Sequence, residues 1–96
     1  MIKVVAKNHI KAEKLDEFIS AAKQLVQDTR QNDAGCIRYE LVQDIKNTQL
    51  LTMLEEWEDL ESLNKHMEAK HFKEAASLFA DFVEKPGEIN LYKTLV

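Results

Sequence analysis

LTMLEEWEDLESLNKHMEAKHF, residues 51–72, decides the fold, because it joins a strand-like apolar run to a helix and carries two of the three histidines. The apolar run closes with Glu55, Glu56 and Trp57, and Asp59 then stands at a position typical of a helix N-cap. Ionisable groups therefore collect where a strand passes into a helix, and such junctions often border clefts.

Two helical stretches are predicted after this N-cap. Leu60, Leu63 and Met67 recur at helical spacing and form the predicted buried stripe of the first stretch. The second stretch ends at Pro86 and Gly87, since proline and glycine terminate helices. Its predicted inner face consists of Phe72, Ala75, Ala76, Phe79 and Val83.

The rest of the chain shows further strand patterns and one long helical pattern. Apolar and polar residues alternate with a period of two in the strand segments and recur every three to four residues in the helix. In the second strand this alternation groups Ile37 with Tyr39 and opposes both to Cys36. Gly35 suits a left-handed turn after the long helix. The predicted strands are residues 1–10, 36–44, 49–57 and 88–96, and the long helix covers about residues 12–31.

The order β-α-β-β-α-β predicts one α+β domain over residues 1–96, of the ferredoxin-like split βαβ type. Such a domain has an antiparallel sheet with helices on one face. The other face also needs a cover, and Val5, Leu51, Met53 and Trp57 are expected to supply apolar area there. The sequence therefore favours a homodimer that closes two sheets face to face, as in a dimeric α/β-barrel.

Composition excludes several classes of partner. The formal net charge is −4 and the basic residues are scattered, so no nucleic-acid partner is expected. No apolar run approaches the roughly 20 residues that span a bilayer, and no signal-peptide pattern is present, so a cytoplasmic protein with no membrane partner is expected. Cys36 is the single cysteine and has no partner for an internal disulfide.

His66 and His71 invite a metal hypothesis, which the spacing argues against. Five residues of continuous helix turn the second side chain about 140° away from the first, so a shared face would require a kink. No third ligand is evident, and no metal is predicted. Each histidine is either a solvated polar residue or an acid, base or ligand-orienting group in a pocket. Glu55 and Glu56 point to opposite faces, and the inward carboxylate needs either hydrogen bonds or a basic partner, for which His66 and His71 are candidates.

Three other residues each admit a structural and a functional interpretation. Asn8 lies on an otherwise apolar strand face, where it either caps a turn or orients a ligand. Tyr39 is more readily a core residue than a catalyst, although its hydroxyl is able to donate to a ligand. Trp57 is expected in the core or the dimer interface in preference to direct substrate contact.

Four motifs in order carry a family resemblance. Asn8 ends the first strand, GCIRY at residues 35–39 opens the second, Glu55-x-Trp57 closes the third, and His66-x4-His71-Phe72 follows. With these motifs nearly the whole chain resembles the antibiotic biosynthesis monooxygenase domain family. These are small dimeric α+β barrels that include quinol monooxygenases and autoinducer-degrading relatives.

The resemblance implies an enzyme that oxidises a phenolic or quinol-like small molecule with molecular oxygen and uses no flavin, haem or metal. An electron-rich substrate anion itself reduces oxygen, and the protein binds it in a dry pocket and removes its proton. The resemblance implies three catalytic residues, His66, His71 and Asn8. One of the two histidines is the base, and Asn8 orients oxygen atoms. The expected substrate-binding residues are Tyr39, Glu55 and Trp57.

Two alternatives remain open at this point. The same pocket would serve isomerisation or breakdown of a small oxygenated signalling metabolite, by proton transfer without oxygen. A dimeric binding or stress-response module with no catalysis is the other. Haem degradation is disfavoured, because the Trp and His that mark haem-degrading relatives are replaced at the matching positions by His66 and Ala76.

Overall fold

The computed structural model describes all 96 residues and contains every predicted strand and helix in the predicted order. The long helix begins at Leu15 after a short 3-10 turn, later than predicted, and the last strand ends at Lys93 instead of residue 96. The elements are β1 (Ile2–His9), the 3-10 turn (Ala12–Lys14), α1 (Leu15–Asn32), β2 (Cys36–Gln43), β3 (Leu50–Trp57), α2 (Leu60–Glu68), α3 (Lys70–Phe79) and β4 (Glu88–Lys93).

The four strands form one antiparallel sheet in the order β2-β3-β1-β4. The two central strands, β3 and β1, come from opposite halves of the chain, so each half contributes one central and one edge strand. This is the predicted ferredoxin-like α+β fold, with the helices on one face of the sheet. None of the helices is long and apolar enough to cross a membrane.

The outer face of the sheet differs from its prediction. Directly paired residues of neighbouring strands share a face, and Trp57 pairs with Ile2 on the face that the helices cover. Leu51, Met53 and Trp57 are all buried in the core there, so their predicted place on the outer face is wrong. Val5 does lie on the outer face, since it alternates with the buried Val4.

Polar and charged groups share that outer face with Val5. The Lys3 ammonium lies 3.4 Å from one Glu56 oxygen, and the Arg38 guanidinium lies 3.9 Å from the other. Leu54 pairs with Val5 across β3 and β1, so the two apolar side chains are neighbours. The outer face is therefore amphipathic and not a continuous apolar surface.

A β-bulge overturns the predicted alternation in β2. Cys36 pairs with Trp57, Arg38 with Glu56 and Tyr39 with Glu55, so an extra residue is inserted between Cys36 and Arg38. As a result Tyr39 is buried toward the helices, whereas Ile37 is about half exposed and does not share its face. Strict alternation has no means of anticipating the inserted residue.

The two helices after β3 bury different residues from those predicted. The Asp59 N-cap is confirmed, because its side chain accepts a hydrogen bond from the Ser62 backbone N–H at 2.8 Å. Leu63 is buried, but Leu60 and Met67 are largely exposed and His66 takes the central buried position. In α3, Ala75 is buried and Ala76 is exposed, while Phe72 and Phe79 are partly buried. The helix ends at Phe79, before Pro86, so the prediction that it continues to Pro86 is wrong. Val83 lies beyond the helix and forms a β-bridge with Ile10.

The connection from α1 to β2 depends on Gly35. Its backbone has a φ of 83°, the left-handed conformation predicted for it. A Cβ at this position would lie 2.2 Å from the Ser62 hydroxyl oxygen, so glycine also allows the connection to pack against α2. Asp33, two residues earlier, is thereby held beside α2.

Candidate active site

A cavity of about 290 Å³ lies between the sheet and helices α2 and α3. Twelve of its 17 lining residues are hydrophobic, so the cavity offers an apolar space with a few polar groups. The residues with polar or charged side chains are Lys7, Asn8, Glu55 and His66, and Tyr39 contributes an aromatic wall.

Asn8 reaches the cavity from the end of β1, on the face that the helices cover. Its side-chain amide makes one long hydrogen bond, from Nδ2 to the Ala6 carbonyl at 3.4 Å. Gly87 lies opposite, where an added Cβ would stand 3.6 Å from Asn8 Oδ1 and 2.8 Å from the Lys7 carbonyl oxygen. The absence of a side chain at Gly87 therefore lets its backbone pass close to β1 beside the Asn8 amide.

Glu55 is the inward member of the glutamate pair, as alternation predicts. It is 7% exposed, and the Trp57 indole donates a hydrogen bond from Nε1 to its Oε1 at 2.9 Å. Burial raises the pKa of Glu55 to about 7, and the indole hydrogen bond opposes that rise. A carboxyl group that changes protonation near neutral pH thus lines the cavity.

Trp57 supports the cavity wall from behind. The indole is fully buried and is absent from the cavity lining, so the predicted core role is the one that the structure shows. Its ring packs edge-on to Tyr39 at 6.2 Å between centroids and lies 4.7 Å from the His66 ring. Trp57 therefore holds Glu55 through a hydrogen bond and His66 through ring packing.

His66 is the most enclosed ionisable residue at the cavity, with 2% of its surface exposed. Its Nδ1 lies 2.5 Å from Asp33 Oδ2, a contact that requires the proton on Nδ1 when the carboxylate is ionised. Nε2 is buried and has no hydrogen-bond partner in the protein. Burial lowers the pKa of His66, and Asp33 opposes that change. The ring thus lines the cavity with one nitrogen held and the other carrying a free lone pair.

His71 contacts the same Asp33 carboxylate as His66 does, but it does not line the cavity. Its Nε2 lies 2.9 Å from Asp33 Oδ2, and 20% of its side chain is exposed. The two imidazoles meet because Ala69 adopts an extended conformation, with φ −67° and ψ 144°, that separates α2 from α3. The two predicted helical stretches are confirmed, and the break between them is the kink that a shared face requires.

Asp33 is the member of this group that the sequence analysis missed. It lies in the connection between α1 and β2, and its partners lie 33 and 38 residues away in the sequence. Of the two predicted alternatives for Glu55, the structure shows the hydrogen bond, which Trp57 donates, and not a histidine partner, because both histidines contact Asp33. No local pattern distinguishes a carboxylate in a turn from one that binds distant imidazoles.

Tyr39 forms the aromatic wall between β2 and α2. It is 2% exposed, and its ring lies 5.1 Å from the His66 ring in an edge-on arrangement. Burial raises the pKa of the Tyr39 phenol well above its ordinary value, and the nearby Glu55 carboxylate adds to the effect. Tyr39 therefore stays protonated and is available only as a hydrogen-bond donor or acceptor.

The structure thus brings Asn8, Tyr39, Glu55 and His66 to one cavity. Trp57 stands behind the wall and His71 beside it. The family model for antibiotic biosynthesis monooxygenases matches residues 1–78. The chain belongs to the antibiotic biosynthesis monooxygenase family.

Individual relatives agree with this assignment. A conserved protein from Methanosarcina mazei Go1 of known structure is 44% identical, with a TM-score of 0.94 over 98% of this chain and 92% of that one. The Bacillus subtilis protein named "Putative monooxygenase YcnE" is 30% identical over 93% of each chain. The Synechocystis protein sll1783 is 31% identical over 94% of this chain, which spans only 61% of its length. The family match and the name of the Bacillus subtilis relative support a monooxygenase-like role, whereas the names of the other two relatives state no activity.

Proposed function

We propose that this chain oxidises a small phenolic or quinol compound with molecular oxygen and that the reaction needs no flavin, haem or metal. The observation that carries the proposal is the state of His66. Asp33 holds Nδ1, and Nε2 is left buried and unpartnered on a ring that lines an apolar cavity. An oriented imidazole with one free nitrogen is suited to remove a proton from a bound hydroxyl group.

Substrate binding follows from the walls of the cavity. Its hydrophobic lining and volume of about 290 Å³ suit a compound with one or two rings. The Asn8 amide and the Glu55 carboxyl group supply hydrogen bonds to substrate oxygens, and the Tyr39 ring packs against the aromatic system. Asn8 is suited to this task because its own hydrogen bond within the protein is long, at 3.4 Å.

The reaction begins when His66 Nε2 accepts the hydroxyl proton of the substrate. The resulting anion is electron-rich and transfers one electron to molecular oxygen, and the two radicals combine into a peroxide anion on the ring. This anion takes the proton back from His66 Nε2 and becomes a hydroperoxide, which leaves His66 neutral again. Loss of water from this hydroperoxide leaves a carbonyl, so a phenol and one oxygen molecule give a quinone and one water molecule. The apolar walls keep bulk water away from the anion.

Oxygen uptake tests the proposal directly. Purified protein is incubated with a panel of reduced quinones and phenols, and incorporation of labelled oxygen into the product is followed by mass spectrometry. His66→Asn is expected to lower kcat/KM by about 100-fold or more, the usual contribution of a general base. His9→Asn is the matched control and should retain the wild-type rate, because His9 does not line the cavity. A folded protein that consumes no oxygen with any member of the panel contradicts the proposal.

A second candidate function is supported by the presence of both Glu55 and His66 in the lining of one cavity. Two groups that exchange protons line the same cavity, and this is the requirement for isomerising a small oxygenated metabolite without oxygen. The same panel tested under nitrogen separates the two reactions. Turnover without oxygen favours isomerisation, whereas tight binding without turnover in either atmosphere favours a non-catalytic binding module.

A further inference from the structure

Three donor atoms converge beside the cavity from three separate segments of the chain. They are Asp33 Oδ2, between α1 and β2, His66 Nδ1, in the last turn of α2, and His71 Nε2, in the first turn of α3. All three atoms lie within 4.8 Å of one another. Groups that are far apart in the sequence are thus held around one point.

The cluster is also enclosed. The exposed fractions of the side chains are 9% for Asp33, 1% for His66 and 20% for His71, so solvent reaches it mainly past His71. Two imidazole nitrogens and one carboxylate oxygen form a donor set that suits Zn²⁺ and Co²⁺, whereas Mg²⁺ and Ca²⁺ prefer oxygen ligands. We propose that Asp33, His66 and His71 bind a divalent transition-metal ion of this class.

Two features of the sequence argue against such a site, the helical spacing of the histidines and the lack of a third ligand, and the structure contradicts both. The break at Ala69 turns His71 back toward His66, and Asp33 supplies the third ligand that the sequence did not reveal. In the metal-free protein Asp33 accepts hydrogen bonds from both imidazoles, and these bonds hold the donors together before the ion arrives. Little reorganisation is then needed, which favours binding.

An ion at this site would act on the cavity through His66. Coordination by Nδ1 leaves the ring proton on Nε2, so the free lone pair at the cavity is lost. This consequence rests on the proposed function, since it makes the metal an inhibitor of the proton transfer assigned to His66. The binding site itself does not depend on that function.

Calorimetric titration of the untagged protein with ZnCl₂ tests the site without any assay of activity. One ion per chain is expected, and Co²⁺ should give a visible absorption band of nitrogen and oxygen coordination. His71→Ala should weaken binding at least about tenfold, a minimum for loss of a direct ligand. The matched control His9→Ala should bind as the wild type does, and Mg²⁺ should not compete. Circular dichroism checks that both variants are folded.

Three outcomes would each overturn the metal site. They are absence of Zn²⁺ binding at micromolar concentration, unchanged Zn²⁺ binding by folded His71→Ala, and an equal loss of Zn²⁺ binding in His9→Ala. If binding occurs as expected but no substrate of the wild type is ever found, only the proposed function fails. Where turnover is measurable, Zn²⁺ should inhibit the wild type. Its inhibition constant should be weaker in His71→Ala by the same factor as its binding affinity. Unaltered activity of the zinc-loaded wild type would overturn the inhibitory effect.

Discussion

At the scale of single residues, the site is defined by how each buried polar group is paired. Glu55 is held by the Trp57 indole and His66 by the Asp33 carboxylate, and both pairs lie beside an apolar cavity. Burial of a carboxyl group without a cation favours its neutral form, which explains why the pKa of Glu55 is raised to about 7. The Glu55 carboxyl group, whose charge depends on pH near neutrality, thus lies where a substrate oxygen is expected to bind.

The raised pKa of Glu55 predicts a pH-dependent stability. The folded protein holds the proton more tightly than the unfolded chain, so this stabilisation is present below the ordinary pKa of 4.5 and is lost as pH rises through about 7. Glu55→Gln keeps an acceptor for Trp57 but carries no charge. Between about pH 5 and about pH 8 the free energy of unfolding of Glu55→Gln should gain roughly 2.5 kcal/mol relative to the wild type, because most of the rise of the pKa to about 7 falls within this range. Urea denaturation at the two pH values measures the difference.

Glu56→Gln is the control for this measurement. Glu56 is adjacent in sequence, but its carboxylate lies on the outer face beside Lys3 and Arg38. The free energy of unfolding of Glu56→Gln should not rise relative to the wild type on going to higher pH. An equal gain in both variants would show that burial of Glu55 is not its cause.

At the scale of elements, the sequence predicts the features that depend on local residue patterns. It does not predict the features that depend on contacts between residues far apart in the chain. The four strands, the long helix and the Asp59 N-cap follow from periodicity and capping chemistry, and all are present. The bulge after Cys36 separates Ile37 from the face of Tyr39, and the extended Ala69 brings His71 to the carboxylate that also contacts His66. Both depend on packing against other elements. The pairing of Asp33 with two histidines follows only once these irregularities are in place.

The N-cap of α2 should matter for stability because α2 carries His66. Asp59→Ala removes the acceptor for the Ser62 N–H and should lower the free energy of unfolding measurably. Asp59→Asn retains a good capping group and should lose much less. Chemical denaturation of the two variants measures both values. Equal loss in the two variants would mean that the charge of Asp59, not its hydrogen bond, is the stabilising feature.

At the scale of the whole molecule, the helices leave part of the sheet uncovered. Every residue of β4 is exposed, and Ile89 and Leu91, which line the cavity, are 64% and 49% exposed. The cavity is therefore bounded along β4 by side chains that solvent also reaches. Of the four apolar residues predicted for the homodimer interface only Val5 remains available, because Leu51, Met53 and Trp57 belong to the core. Val5 and Leu54 are the paired apolar residues that remain on the outer face.

The paired side chains of Val5 and Leu54 allow the predicted homodimer interface to be tested. A second copy that covers the outer face would bury Val5 and Leu54, and a stable interface of this kind removes roughly 1,200–2,000 Å² from solvent. Light scattering after size exclusion should give the mass of two chains at micromolar concentration. Leu54→Glu places a charge in the interface and should shift the protein to monomer while circular dichroism stays unchanged. Leu78→Glu, at a half-exposed position in α3 on the helical side, should remain dimeric. A wild-type protein with the mass of one chain would exclude the homodimer, and dissociation by both variants would show that the outer face is not its interface.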